Sequence, residues 1–150
     1  AAIYRPLNNI FLNPLMEYLR KKYICPIQIK KGKDGLKKLL SAFKNGVSIA
    51  LMIDQRVSQG IKVNLFSLPA FTTTIPAQFV LRYNCKIVPI YIERKNSTNF
   101  IMNIKEPLEF GNLDKNKNNV EQITLKLNQI IEKMILNNPE QWIWSHNRWK

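Results

Sequence analysis

The chain has 150 residues, 45% of them apolar and 22% charged, which is enough for one domain with a buried core and unlike a disordered or fibrous composition. Its 23 Lys and Arg against 10 Asp and Glu give a net charge of +13. That excess points to an anionic partner, whether nucleic acid, lipid headgroups or a phosphorylated substrate, and charge does not choose among them. It leans toward the first half, with 12 bases and 3 acids in residues 1–75 against 11 and 7 in residues 76–150.

In chain order, strands and helices alternate, with no internal repeat and no low-complexity linker. Residues 1–4 read as the end of a buried strand. Asn13 and Pro14 form an N-cap and first-turn pair opening a helix to about Lys22. A short strand is expected at 27–29. A helix follows over 35–44, with Leu36, Leu39, Leu40 and Phe43 on one face and Asn45-Gly46 closing it. Residues 47–53 are a continuous apolar run ending at Asp54, the pattern of a central strand in a covered sheet.

Residues 56–74 read as a long loop of little periodicity, a length that in compact domains usually carries function. A short helix is expected at 76–84 and strands at 86–93 and 100–104, with Pro89 marking an edge or bulge in the first. Asn/Lys-rich turns occupy 95–99 and 112–119. Val120, Ile123, Leu127, Ile130, Ile131 and Met134 recur at helical spacing, so the last helix stops before Pro139. The expected class is α/β, a mixed, largely parallel sheet flanked by helices. The best apolar runs, 47–53 and 87–92, fall far short of the roughly eighteen residues of a spanning helix.

Ligands of open α/β sheets collect outside the carboxyl ends of strands, so polar residues directly after apolar runs are the first candidates. Two places qualify: Arg5 after the first strand, and Asp54, Gln55 and Arg56 after the most apolar run. An arginine there offers phosphate a planar fork of donors, or else sits on the surface paired with Asp. Thr72, Thr73 and Thr74 precede a helix with Pro76 in its first turn, where hydroxyls either cap the helix or hold an anion.

Trp142, Trp144 and Trp149 share the last nine residues with His146, Arg148 and Lys150. Such a tail suits docking over the core, a membrane interface or stacking on bases. His146 is the only histidine, so neither a Ser-His-Asp nor a His-metal site has a second candidate. Cys25 and Cys85 stand too far apart for a metal motif and read as small buried hydrophobes; no metal or cofactor is expected.

Taken in order, Tyr4-Arg5-Pro6 with Asn8-Asn9, Asp54-Gln55, Gly60, Val63 and Phe66, Pro69-Ala70 with Thr72-Thr73 and Pro76-Ala77, and the ending Pro139-Glu140-Gln141-Trp142, Trp144, His146, Arg148-Trp149-Lys150 resemble the lauroyl/myristoyl acyltransferases of lipid A biosynthesis. The match runs over nearly the whole chain. Residues 87–90 also resemble the fourth motif of the wider glycerophosphate acyltransferase group, whose glycerophosphate and lysophospholipid acyltransferases are the nearest alternative.

The resemblance implies transfer of an acyl chain from acyl carrier protein to a phosphorylated lipid A precursor in lipopolysaccharide biosynthesis, at an anionic membrane surface on the cytoplasmic face of the inner membrane. It implies a His-x4-Asp/Glu pair as general base. Residues 1–150 are therefore expected to be the C-terminal portion of one acyltransferase domain, with that pair and a membrane anchor upstream and no catalytic residue among them. Carried over by position, Arg5 meets substrate phosphate, Asp54, Gln55 and Arg56 line the same cleft, and Thr72 and Thr73 join the substrate-binding set. Ser67 stands where the family commonly has Gly after the loop Phe, which argues against a phosphate cradle made by that loop's backbone. The competing classes are a nucleic-acid-binding module, for which no recognition motif is present and which is not expected, and a non-catalytic membrane-binding relative.

Overall fold

A computed structural model describes residues 1–32, 34–111 and 113–150. The chain divides into two compact units, Ala1–Met52 and Ile53–Lys150. In the first, β1 (Ala2–Tyr4) pairs in parallel with β2 (Gln28–Lys30), joined through α1 (Leu12–Tyr23), and α2 (Gly35–Lys44) follows. The crossover helix is what a parallel pair requires. Tyr4 Oη donates to Glu17 Oε1 at 2.8 Å, fastening the end of β1 to α1. That bond, then the Asn13 amide, holds the Glu17 carboxyl below its ordinary range.

α1 begins one residue before the expected cap. Asn9 Oδ1 accepts from the backbone N–H groups of Phe11 and Leu12, so it serves the first orphan donors of the helix. Asn13 instead accepts from Leu7 N and donates to Glu17.

In the second unit, β3 (Ile61–Leu65) and β4 (Leu68–Thr72) form an antiparallel hairpin, α3 (Ile75–Tyr83) follows, β5 (Ile90–Arg94) and β6 (Phe100–Ile104) form a second hairpin, and α4 (Lys117–Asn137) leads into a 3-10 turn at Pro139–Gln141. Ala77, Val80 and Leu81 of α3 pack with Ile123 and Leu127 of α4. Leu65 and Ala70 of the first hairpin pack with Ile131 and Ile135 further along α4. α4 thus spines this unit, presenting the apolar stripe expected of it. The 112–119 turn was expected from sequence; its first residue, Asn112, lies outside the described residues.

Two expectations are corrected. The mixed α/β class holds, but the sheet is not largely parallel: among the described residues, two of the three two-stranded sheets are antiparallel. Their connections, Phe66-Ser67 and the 95–99 turn, are too short for a crossover, and short turns join only antiparallel strands. Residues 47–53 form no central strand either, only an isolated parallel bridge from Ala50 to Ala2. Their burial alternates between half-buried and exposed, so the apolar run reported one-sided contact rather than a covered ladder. The strand expected over 86–93 begins only at Ile90, and Pro89 falls before it, between a bridge at Ile87 and the start of β5, with its carbonyl accepting from Lys105 N.

The expected 56–74 loop is largely the β3–β4 hairpin. Phe66 and Ser67 hold φ of 51° and 63°, the positive pair that a two-residue hairpin turn needs. Each L-residue in that region costs about 1–2 kcal/mol. Ser67→Gly should therefore stabilise the protein by about 0.5–1 kcal/mol, after allowing for the extra freedom glycine gives the unfolded chain. Denaturant titration checks this, and a lowered midpoint at unchanged slope would refute it. At Gly60 the constraint is space, since a Cβ would meet the Thr72 carbonyl oxygen at 2.2 Å.

Candidate functional site

The first unit places Arg5 where the sequence expects it, just past the carboxyl end of β1. The ladder pairs Tyr4 with Lys30, and Lys31 N donates to the Tyr4 carbonyl at 2.9 Å, so Arg5 and Lys31 leave the two strands side by side. Both are exposed, and among the described residues Arg5 makes no hydrogen bond or ion pair. Tyr4 is tied down instead: Arg20 Cζ lies 5.1 Å from its ring centroid, and Glu17 takes its hydroxyl. The result is an anchored strand end with exposed cations beside it, a geometry that can receive a phosphate.

The second unit gathers most of the other candidates around the C-terminal segment. Arg56 N donates to His146 Nε2 at 2.9 Å, and Arg56 Nε donates to the Lys150 carbonyl at 2.6 Å. His146, exposed, thus accepts at Nε2 and clasps the Asp54-Gln55-Arg56 segment. Gln55 is exposed and Asp54 half-buried. The guanidinium of Arg56 and the ammonium of Lys62 each lie 5.2 Å from the Phe71 ring centroid, two cations sharing one aromatic face pair.

Beneath this lies Arg148, with none of its surface exposed. Its Nη2 donates to Thr72 Oγ1 at 2.7 Å, and Phe71 N donates to the Arg148 carbonyl at 3.0 Å. Among the described residues, Nε and Nη1 find no hydrogen-bond partner and are buried. Burial pushes the guanidinium below its usual pKa, opposed by the negative field of Asp54. Asn128, also fully buried, donates to the carbonyls of Val63 and Asn64 and to Thr72 Oγ1 at 3.3, 3.0 and 3.0 Å. Thr72 is thus the meeting point of α4, the β3–β4 hairpin and the C-terminal segment. Thr73 Oγ1 accepts from Ile75 N at 3.3 Å, capping the entry to α3.

Trp142 and Trp149 pack against the hairpin core, and Trp149 Nε1 donates to the Leu65 carbonyl at 3.2 Å. Trp144 stacks tilted against Phe66 at 5.9 Å while about half exposed, and its Nε1 donates to the Pro139 carbonyl. The tail therefore docks on the core, leaving Trp142 and Trp149 engaged rather than splayed for bases. Phe66 N donates to Glu132 Oε1, so the hairpin turn does not offer that N–H to a ligand. Among the described residues no group of three His, Cys, Asp or Glu could hold a metal ion, and no helix is long and apolar enough to cross a membrane.

Sequence reasoning passed over Asn128 and Arg148 as site-builders. Asn128 carried a signal, a lone amide in the stripe Thr124, Asn128, Ile131, Ile135 that α4 buries. Arg148 carried none beyond its place among the tryptophans.

A family model described as bacterial lipid A biosynthesis acyltransferase matches residues 1–150. A lipid A biosynthesis acyltransferase of Haemophilus influenzae is 24% identical over 159 residues, covering 99% of this chain and 47% of that protein. The chain spans about half the length of that relative.

Proposed function

Since the chain belongs to the bacterial lipid A biosynthesis acyltransferase family, we propose that its residues serve an enzyme that transfers a fatty acyl group from acyl carrier protein to a phosphorylated lipid A precursor, at an anionic membrane surface on the cytoplasmic face of the inner membrane. The acceptor hydroxyl attacks the thioester carbonyl, the carrier thiol leaves, and a base takes the hydroxyl proton. In this reading the base is a His-x4-Asp/Glu pair supplied outside these 150 residues, which contain no such pattern. His146 does not fill that role, because its Nε2 lone pair is taken by Arg56 N.

The observation that carries the reading is the pair of exposed cations, Arg5 and Lys31, set beside each other past the carboxyl ends of two parallel strands. Their task is to hold the acceptor phosphate, fixing its hydroxyl relative to the thioester. Asp54, Gln55, Arg56, Thr72 and Thr73 remain proposed substrate-binding positions. Arg56 has the strongest claim, being exposed with its backbone clasped. The buried Thr72 hydroxyl supports the site through Arg148.

The test is an assay of the protein made from its complete open reading frame, with acyl carrier protein thioester as donor and lipid A precursor with and without its phosphates as acceptor. Transfer is expected, with the dephosphorylated acceptor slower by roughly 10- to 150-fold in kcat/KM, the equivalent of one charge-assisted contact. No transfer to either acceptor would refute the enzymatic reading. Equal rates would refute the phosphate role.

A further inference from the structure

α1 is amphipathic, yet none of its residues is buried. A helix of a globular unit ordinarily puts its apolar stripe into a core. Here Phe11, Leu15 and Tyr18 recur at four and three positions and lie on one face, 88%, 53% and 56% exposed. Ile10, Tyr23 and Ile24 extend the exposed apolar surface at both ends of the helix. Exposed apolar surface of this extent marks a contact.

The charge around it says with what. Residues 1–52 carry ten Lys and Arg against Glu17 and Asp34 alone, and Glu17 is engaged by Tyr4 and Asn13. Arg20, Lys21 and Lys22 fill the last turn of α1. The Lys22 ammonium bonds the Tyr18 hydroxyl at 3.2 Å and lies 5.5 and 5.2 Å from the Tyr18 and Tyr23 ring centroids. Tyrosines and a lysine beside an apolar row are the arrangement of a helix lying in the headgroup layer. A 12-residue helix is too short to do anything but lie flat there.

We propose that the Phe11, Leu15, Tyr18 face of α1 is the surface by which this protein seats on an anionic bilayer, its apolar side chains entering the acyl boundary and the exposed Lys21 and Lys22 meeting lipid phosphates. The proposal deepens the membrane part of the function proposed above and rests on it. A flat seat for α1 keeps the protein at the surface where a lipid acceptor resides.

Vesicle sedimentation tests it and needs no turnover, so its failure reads separately from failure of acyl transfer. The protein should partition onto phosphatidylglycerol/phosphatidylcholine vesicles at least about tenfold more than onto phosphatidylcholine alone, and salt should weaken the binding. Phe11→Ser with Leu15→Ser should cut partitioning about tenfold or more. Lys21→Gln with Lys22→Gln should do the same and flatten the salt dependence. Circular dichroism should be unchanged in both, since the altered side chains are exposed. Wild-type partitioning by the folded Phe11→Ser, Leu15→Ser variant would overturn the proposal. So would equal binding to both vesicle types, or a solution dimer that the same variant dissolves while wild type ignores vesicles.

Discussion

Replacing Asn128 by Ala should destabilise the protein by about 2–4 kcal/mol, seen as a lower denaturant midpoint at unchanged slope. The buried amide supplies hydrogen to the Val63 and Asn64 carbonyls and to Thr72 Oγ1, the first and last of these bonds buried and the second partly so. Its removal takes that donor from the Val63 and Asn64 carbonyls, a desolvation cost, while Thr72 Oγ1 keeps Arg148 Nη2, and it opens a gap between α4 and the β3–β4 hairpin. Asn128→Leu fills the gap without restoring a donor, so it should recover little. A Leu variant as stable as wild type would show that packing, not the polar network, holds this joint. The effect should extend to Arg148, whose buried guanidinium would keep Thr72 Oγ1 as its principal short contact.

That network also marks the limit of what the residues disclosed beforehand. The helix over 35–44 and the last helix from Val120 on were readable because each shows an apolar stripe at helical period with a clear stop, Asn45-Gly46 in one and Pro139 beyond the other, although α4 begins at Lys117 inside the expected turn. The β3–β4 hairpin was not, since its turn is Phe66-Ser67, two residues that carry no positive-φ signature such as Asn-Gly. Nor was the fate of residues 47–53, because an apolar run states a need for burial without naming a partner strand.

Among the candidate residues, the position of Arg5 just past a strand end was legible, since β1 ends at Tyr4. The joining of Arg56 to His146 spans 90 positions, and that of Thr72 to Arg148 spans 76. No local period encodes contacts so distant.

Arg5→Ala should lower kcat/KM for the phosphorylated acceptor by roughly 10- to 150-fold, the equivalent of one charge-assisted contact at about 1.5–3 kcal/mol. Stability should not change, because Arg5 is exposed and makes no hydrogen bond or ion pair among the described residues. The strand end is held by Tyr4 through Glu17, a contact the substitution does not touch. Arg5→Lys keeps the charge but loses the planar fork, so it should restore a minor part of the rate, mainly through KM. Lys31→Ala, removing the neighbouring cation, should give a smaller loss of the same kind, since an ammonium offers phosphate a point charge rather than a two-pronged contact. With an acceptor stripped of phosphate, wild type and Arg5→Ala should converge, because the contact that distinguishes them has no partner. Unchanged kcat/KM in a folded Arg5→Ala protein would make Arg5 a solvated surface residue, and the phosphate contact would then have to be sought at Arg56, the other exposed guanidinium after an apolar run.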